Sequence, residues 1–301
     1  MAYFKQVTPF FLKEKPNLDN LETQLNNRAF VPLSGLNWFS NGFTAPMQSS
    51  DTLAFSTGQA VSVCLKCEER LLPRPVITRE LEKRVKQIAE QEGRKVGKKE
   101  QKELRERIID ELLPHALIKE SHVYGLFIGQ WLFVGIANEK RAENFIKALQ
   151  EALGGLQVFK VSTNHAPVDK MTEWLRAEEP SHPEFEFGAE CTMVSGNGKE
   201  KDRAKAKVSK HDLTVQEVLN HAEAGKMVKE IELSWSEKIA FIWTDTWTYK
   251  RLVFADVQSQ NKNTPAEEDL AATEFAMQTL VASGLEKLTQ TLVGELAGLS
   301  V

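Results

Sequence analysis

Cysteine is scarce in this sequence: three residues in 301, an odd number that cannot close a disulfide framework and that predicts a reducing, cytoplasmic setting. No apolar run approaches the roughly 18–20 residues that cross a bilayer, so no membrane association is expected. The opening Met1-Ala2-Tyr3-Phe4-Lys5-Gln6 has neither the basic start nor the apolar core of a signal peptide. Catalytic motifs are equally sparse. There is no Gly-x-Ser-x-Gly elbow, and the six histidines (His115, His122, His165, His182, His211, His221) form no close metal-ligand pair. Gly196-Asn197-Gly198-Lys199 lacks the Gly-Lys-Ser/Thr ending of a phosphate loop. Cys64 and Cys67 are half of a zinc motif, and on a strand residues three apart point to opposite faces. Asp245, at a hairpin turn, and Asp256, after a strand, are the residual candidates for a cation site, although turn chemistry accounts for Asp245 equally well. The expectation is a protein with no catalytic residues, no metal and no cofactor.

What is present is a globular composition, 42% hydrophobic and 27% charged, in a chain long enough for two domains. Net charge is −4, which excludes a uniformly basic nucleic-acid binder, but the charges are segregated. Arg94 to Arg107 holds seven bases against three acids, and Lys199 to His211 holds six against two. Glu178 to Glu190 carries five acids and no Lys or Arg, and Pro265 to Val301 six acids and one base. A chain near neutrality can still turn a positive surface toward a polyanion. Each run taken alone is equally well a solvated face.

Periodicity places strands at Tyr3–Leu12, Phe185–Val194 and Lys205–Lys210, hairpins over Thr52–Leu71 and Val123–Ala137, and a meander from Val228 to Phe254. Helices are expected over Lys140–Leu153, from Pro167 to Leu175 behind an Asn164 cap, and over Val215–Ala224, with Thr214 and Glu217 in capping-box register. Leu18, Leu21 and Leu25 mark an early helix, Leu33 to Ser50 reads as a loop, and two helices, Glu267–Ala282 and Leu285–Leu296, close the chain. Strands arrive in hairpins, so the fold class is α+β, with antiparallel or mixed sheets and flanking helices. The stripes of Val76, Ile77, Leu81, Val85 and Ile88, then Leu104, Ile108 and Leu112, are narrow and heavily charged outside, as in a projecting basic helical arm at 75–117. The composition shift near Glu178 divides an N-terminal region, 1–177, from a C-terminal region, 178–301, which holds the basic strand 203–210 and the acidic terminal helices.

In an extended strand, Arg203, Lys205 and Lys207 share one face about 7 Å apart, a row of cations suited to phosphate oxygens. A lysine-protected edge strand would show the same pattern. The aromatics do not interleave with these cations, so a duplex backbone is favoured over stacked single strands. No helix-turn-helix or zinc finger is present, and little sequence preference is expected. Trp38, Phe39 and Phe43 in the Leu33–Ser50 stretch must pack on something or form an apolar interface.

Taken together, Tyr3-Phe4-Lys5-Gln6, Glu68-Glu69-Arg70-Leu71-Leu72-Pro73-Arg74-Pro75-Val76-Ile77, Leu112-Leu113-Pro114-His115-Ala116 and Met171-Thr172-Glu173-Trp174-Leu175 resemble the RdgC family of bacterial recombination-associated proteins. Lys210-His211-Asp212-Leu213-Thr214, Asn220 to Lys226 and Tyr249-Lys250-Arg251-Leu252-Val253-Phe254 continue the likeness nearly end to end. The resemblance implies a non-catalytic, nucleoid-associated homodimer closed into a ring. Such a ring encircles double-stranded DNA without sequence preference, binds single-stranded DNA more weakly, and limits access of RecA recombinase. It adds Lys66, Arg74, His115, Lys210 and His211 to Arg203, Lys205 and Lys207 as DNA contacts. His115 stands where family members can carry arginine, and a neutral histidine binds phosphate less strongly. Leu117 stands where they can carry an aromatic residue at the ring-closing contact, which joins it to Trp38, Phe39 and Phe43 as an interface candidate. Two other readings remain: a metal-dependent nuclease using Asp245 or Asp256, and an adaptor whose acidic C-terminal helices meet RecA directly.

Overall fold

In the computed structural model, residues 4–196, 203–255 and 270–300 are described. Their elements run β1 (Gln6–Leu12), α1 (Leu21–Asn26), β2 (Phe39–Thr44), β3 (Ala54–Ser56), β4 (Ala60–Leu71), α2 (Arg74–Glu92) and α3 (Lys98–Leu112). Then come β5 (Leu117–Ile128), β6 (Trp131–Val134), α4 (Glu139–Leu153), β7 (Val158–Lys160), α5 (Pro167–Arg176), β8 (Phe185–Ser195) and β9 (Lys205–Ser209). The chain closes with α6 (Gln216–Glu223), β10 (Lys226–Trp235), β11 (Ile239–Thr244), β12 (Tyr249–Phe254) and α7 (Leu270–Glu295). The architecture is α+β, and its ladders, such as β1 on β12 and β8 on β9, are antiparallel. Asp256, the segment 197–202 and Glu267–Asp269 lie outside the described residues.

The residues cluster into two compact units. The first comprises Met1–Asn27, Ala45–Cys64 and Val123–Val301, and the second Arg28–Thr44 and Leu65–His122. The boundary expected at residue 178 falls inside the first unit, where Gln6 of β1 lies opposite Lys250 of β12.

In the first unit the strands follow the order β5-β6-β1-β12-β11-β10-β8-β9, which leaves β9 at an edge. Long-range pairing of β1 with β12 brings strands far apart in the sequence into one sheet. The helix α7 packs on the core through Val281, Leu285, Leu288 and Leu292, a helical stripe buried completely. Here the structure departs from the expected pair of terminal helices. Ser283-Gly284 is no break, because a Cβ at Gly284 would stand 3.1 Å from Ile239 Cδ1. The glycine lets the helix approach β11. Polar groups buried on α7 are satisfied: Glu274 accepts the backbone N–H groups of Gln48 and Ser49 at 3.2 and 3.1 Å. Gln278 donates to the carbonyls of Phe55 and Ala60 at 3.0 Å each.

Two caps differ from expectation. Asn164 does not cap α5; its Nδ2 donates to the Ala297 carbonyl at 2.7 Å, tying the α5 approach to the end of α7. Thr214 does not cap α6 either. Its N–H and Oγ1 both donate to Asp212 Oδ1, at 2.9 and 2.8 Å, and the helix starts after Val215.

In the second unit, β2, β4 and β5 are neighbours in that order. β2 lies in the stretch expected to be a loop. Its Gly42 is demanded by close approach and not by a turn, since a Cβ there would sit 2.5 Å from Phe30 Cα. The helices α2 and α3 form a hairpin through Gly93, whose φ of 64° closes α2 in the left-handed conformation. Few apolar side chains hold the pair: Ile77, Val96, Ile108 and Leu113 are buried. An ion pair supplements them, Arg84 of α2 on Glu111 of α3 at 2.6 Å, while Glu80 of its own helix meets Arg84 at 3.2 Å.

Candidate functional site

The edge strand β9 shows the alternation its sequence promised. Ala206 and Val208 pack against the core, whereas Lys205, Lys207 and Ser209 face solvent. Lys205 lies opposite Val194 and Lys207 opposite Thr192. Arg203 precedes the strand, so the shared face is that of Lys205 and Lys207. Lys210 follows at φ 56°, a left-handed conformation that a side-chain-bearing residue adopts at a cost. His211 is exposed and its Nδ1 lies 3.0 Å from the Asp212 carbonyl oxygen. Neither Lys205, Lys207 nor Lys210 has an ion-pair partner within 4.0 Å among the described residues.

Beside this strand is an open groove of about 910 Å³ between β8, β9 and β12. Lys5, Lys207, Lys210, Lys250 and Arg251 line it, against two carboxylates, Glu190 and Glu230. Three of these cations were not singled out from the sequence, and the backbone explains why. Regular alternation would send Lys250 and Arg251 to opposite faces of β12. Instead the register slips between Ala240 and Ile242, leaving an extra residue on β12, and Arg251 sits at φ 50°. A bulge of this kind re-aims a side chain, and both basic residues stand outward between buried Tyr249 and Leu252. Lys5 is placed by its own carbonyl, which accepts the Leu252 N–H at 2.9 Å.

The carboxylates are held within the groove. Arg251 Nη1 donates to Glu190 Oε1 at 2.8 Å, and Nη2 binds Oε2 in the same fork. That contact, aided by the charges of Lys207 and Lys210, keeps the Glu190 carboxyl below its ordinary range. Lys250 Nζ donates to Glu230 Oε1 at 2.8 Å. Cys191 lies buried on the groove floor, where burial pushes its thiol up to about 12.

The second unit carries the other candidates. Arg74 opens α2 and is exposed, as is His115 in the 3-10 turn Leu113–His115. Lys66 on β4 is half-buried: its Nζ stands 2.7 Å from Glu120 Oε2, 3.6 Å from Glu68 Oε1 and 4.7 Å from the Phe30 ring centre. The Glu120 hydrogen bond raises the Lys66 pKa. In the helical hairpin, Arg94 is spent on Glu92 and Glu100, at 2.6 and 2.7 Å. Lys95, Lys98 and Lys99 have no ion-pair partner within 4.0 Å among the described residues.

The second unit also concentrates exposed apolar side chains. Eight of eleven large ones among the described residues belong to it, including Trp38, Phe39, Leu71, Leu117 and Ile118. Phe39 is 70% and Leu117 78% exposed. Phe39 is on β2 and Leu117 on β5, the strands that flank β4, and exposure on this scale marks an interaction surface. Phe43 corrects the expectation: it is 1% exposed, buried in its own unit, with its backbone paired to Arg28 and Phe30.

Asp245 sits in the β11–β12 turn in an ion pair with Lys229, the turn role its position suggested. Among the described residues there is no group of three or more His, Cys, Asp or Glu side chains able to hold a metal ion. Likewise, no helix among them is long and apolar enough to cross a membrane.

Comparison with known proteins covers nearly the whole chain. A "Recombination-associated protein RdgC" of Neisseria meningitidis is 39% identical over 303 aligned residues, covering 98% of this chain and 99% of the relative. One of Laribacter hongkongensis is 36% identical, covering 98% of each. One of Yersinia enterocolitica is 29% identical, covering 99% of each. The family described as "Putative exonuclease, RdgC" matches residues 2–299, and with relatives of this identity along their full lengths the chain belongs to the RdgC family.

Proposed function

We propose that this chain is a sequence-nonspecific double-stranded DNA-binding protein, acting as a ring-shaped homodimer that limits access of RecA recombinase to DNA. The observation that carries the reading is the outward pair Lys205 and Lys207 on an edge strand, continued by Lys210 into a groove with Lys5, Lys250 and Arg251. Cations without base-reading neighbours bind phosphate and confer register, not sequence. Arg203, His211, Arg74, His115 and Lys66 are each assigned a phosphate contact as well. Lys66 contributes least, because it must first leave Glu120. The dimer is supported by the apolar side chains of the second unit, whose small core leaves Phe39 and Leu117 uncovered. Ring closure, nucleoid association and the effect on RecA rest on the RdgC resemblance. We assign the protein no catalytic role and no cofactor.

The test is a Lys205→Glu, Lys207→Glu double variant assayed by fluorescence anisotropy on several duplexes of unrelated sequence. Affinity falls more than about tenfold on every duplex, because two phosphate contacts become repulsions. Unchanged affinity in a folded variant refutes the placement. For the adaptor reading, a pull-down of RecA in the absence of DNA should recover nothing. Two acidic residues of α7 are already occupied: Glu274 is buried on Gln48 and Ser49, and Glu295 is engaged by Ser181.

A further inference from the structure

The Glu190–Arg251 fork lies within the cationic groove. Glu190 is a strand residue whose register partner is Ser209 of β9, so its carboxylate stands beside the cationic edge strand itself. Arg251 reaches it from the other wall, from a backbone held at φ 50°. A positive φ on an arginine persists only where the surroundings over-determine it, and such residues cluster at functional positions. Lys210, on the same groove, shares this conformation. Thus two of the groove's five cations are displayed by strained backbone, and one carboxylate lies among Arg251, Lys207 and Lys210. A carboxylate and a phosphate diester present the same pair of anionic oxygens to a guanidinium fork. The side chains of both residues remain accessible, Arg251 at 53% and Glu190 at 21%, so the pair can open without unpacking the core.

We infer that Arg251 is a DNA phosphate-binding residue and that Glu190 is its resident counter-ion, which a backbone phosphate displaces when duplex DNA enters the groove. This rests on the DNA-binding reading above. In the DNA-free protein Glu190 neutralises Arg251 and tempers the charge of Lys207 and Lys210. In the complex Arg251 turns its fork to a phosphate and Glu190 is released to water. The carboxylate is thereby a brake: it lowers affinity for any polyanion and leaves the protein able to let go.

The experiment measures affinity for a labelled duplex by anisotropy across a salt series, for the full chain and for Glu190→Gln, Arg251→Ala, Arg251→Lys and the Glu190→Gln/Arg251→Ala pair. Glu190→Gln should tighten binding about three- to tenfold. Arg251→Ala should weaken it by a similar factor and make the salt slope shallower by about 0.9, the share of one phosphate. Arg251→Lys, which keeps the charge and loses the fork, should fall between. The gain from Glu190→Gln should shrink when Arg251 is absent, since coupled residues are not additive. Circular dichroism checks that each variant is folded, and Arg251→Lys serves if Arg251→Ala is not. An unchanged affinity for Glu190→Gln and for both Arg251 variants overturns the exchange, as does a gain of the same size with and without Arg251. If the Lys205→Glu, Lys207→Glu variant loses binding in that case, the DNA-binding reading stands and the exchange alone falls. If the unaltered protein fails to bind duplex, both fall.

Discussion

Arg70 holds Leu113 by its backbone: Nη1 donates to the Leu113 carbonyl at 2.8 Å and to that of Pro114 at 2.9 Å, while Nε reaches the Asn37 carbonyl at 3.1 Å. One guanidinium on β4 thus gathers the approach to β2 and the return of the helical hairpin. At 7% exposure it is buried with its donors satisfied, a structural cation and not a phosphate contact. Arg70→Met should destabilise the second unit by about 2–4 kcal/mol, because carbonyls that lose a charged donor are left unpaired. Hydrogen exchange across residues 28–44 and 65–122 measures it. A loss below about 0.5 kcal/mol would show that water replaces the guanidinium at no cost.

Leu117 and Phe39 lead to a prediction about assembly. Burial of a side chain of this size contributes about 1.5–3 kcal/mol. In the Phe39→Ser, Leu117→Glu double variant, sedimentation should shift from twice the chain mass toward 34.0 kDa. Phe43→Ser, at a buried position, should instead lower stability. A double variant that sediments like the unaltered protein would remove these residues from the interface.

Much of this arrangement could be read directly from residue order, and the exceptions share a cause. β9 announces itself because each lysine alternates with a small or branched apolar residue, and α2 and α3 because leucine and isoleucine recur every three or four positions. β2 does not, since Ser40, Asn41 and Gly42 have turn chemistry and the strand exists only through its partners. In α7 a Ser-Gly pair that ordinarily ends a helix continues it, because β11 requires the close approach. The groove is the extreme case. Lys5, Lys207 and Arg251 are far apart in the chain, and a bulge decides that Arg251 stands outward on the groove beside them. Neither sheet order nor a register shift has a local signature. Family resemblance located Lys210 and His115, but the ion pair that occupies Lys66 is visible only in three dimensions.

Cys191 gives a prediction about alkali. Burial raises its thiol to about 12, well above the ordinary value of about 8.5, so the folded state keeps a proton that the unfolded state loses first. Its contribution is fully present below about pH 8.5 and is lost as pH rises toward 12, at up to about 1.4 kcal/mol per pH unit. Unfolding free energy measured from pH 8 to pH 10 should fall, and Cys191→Ala should flatten part of that fall. At neutral pH the native thiol should resist iodoacetamide, whereas the urea-unfolded chain reacts. Fast native labelling would contradict the burial.

The word exonuclease in the family description makes a direct expectation worth testing. With magnesium or manganese, neither supercoiled plasmid nor linear duplex should be nicked or shortened by the purified protein. Cleavage abolished by Asp245→Asn or Asp256→Asn would favour the nuclease reading over the binding one.

The measurement closest to the heart of the account is the salt dependence of binding to two duplexes of unrelated sequence. If about six phosphates are neutralised, log affinity falls against log salt with a slope near −5, the same for both duplexes. A flat response, or a strong preference for one sequence, would contradict it.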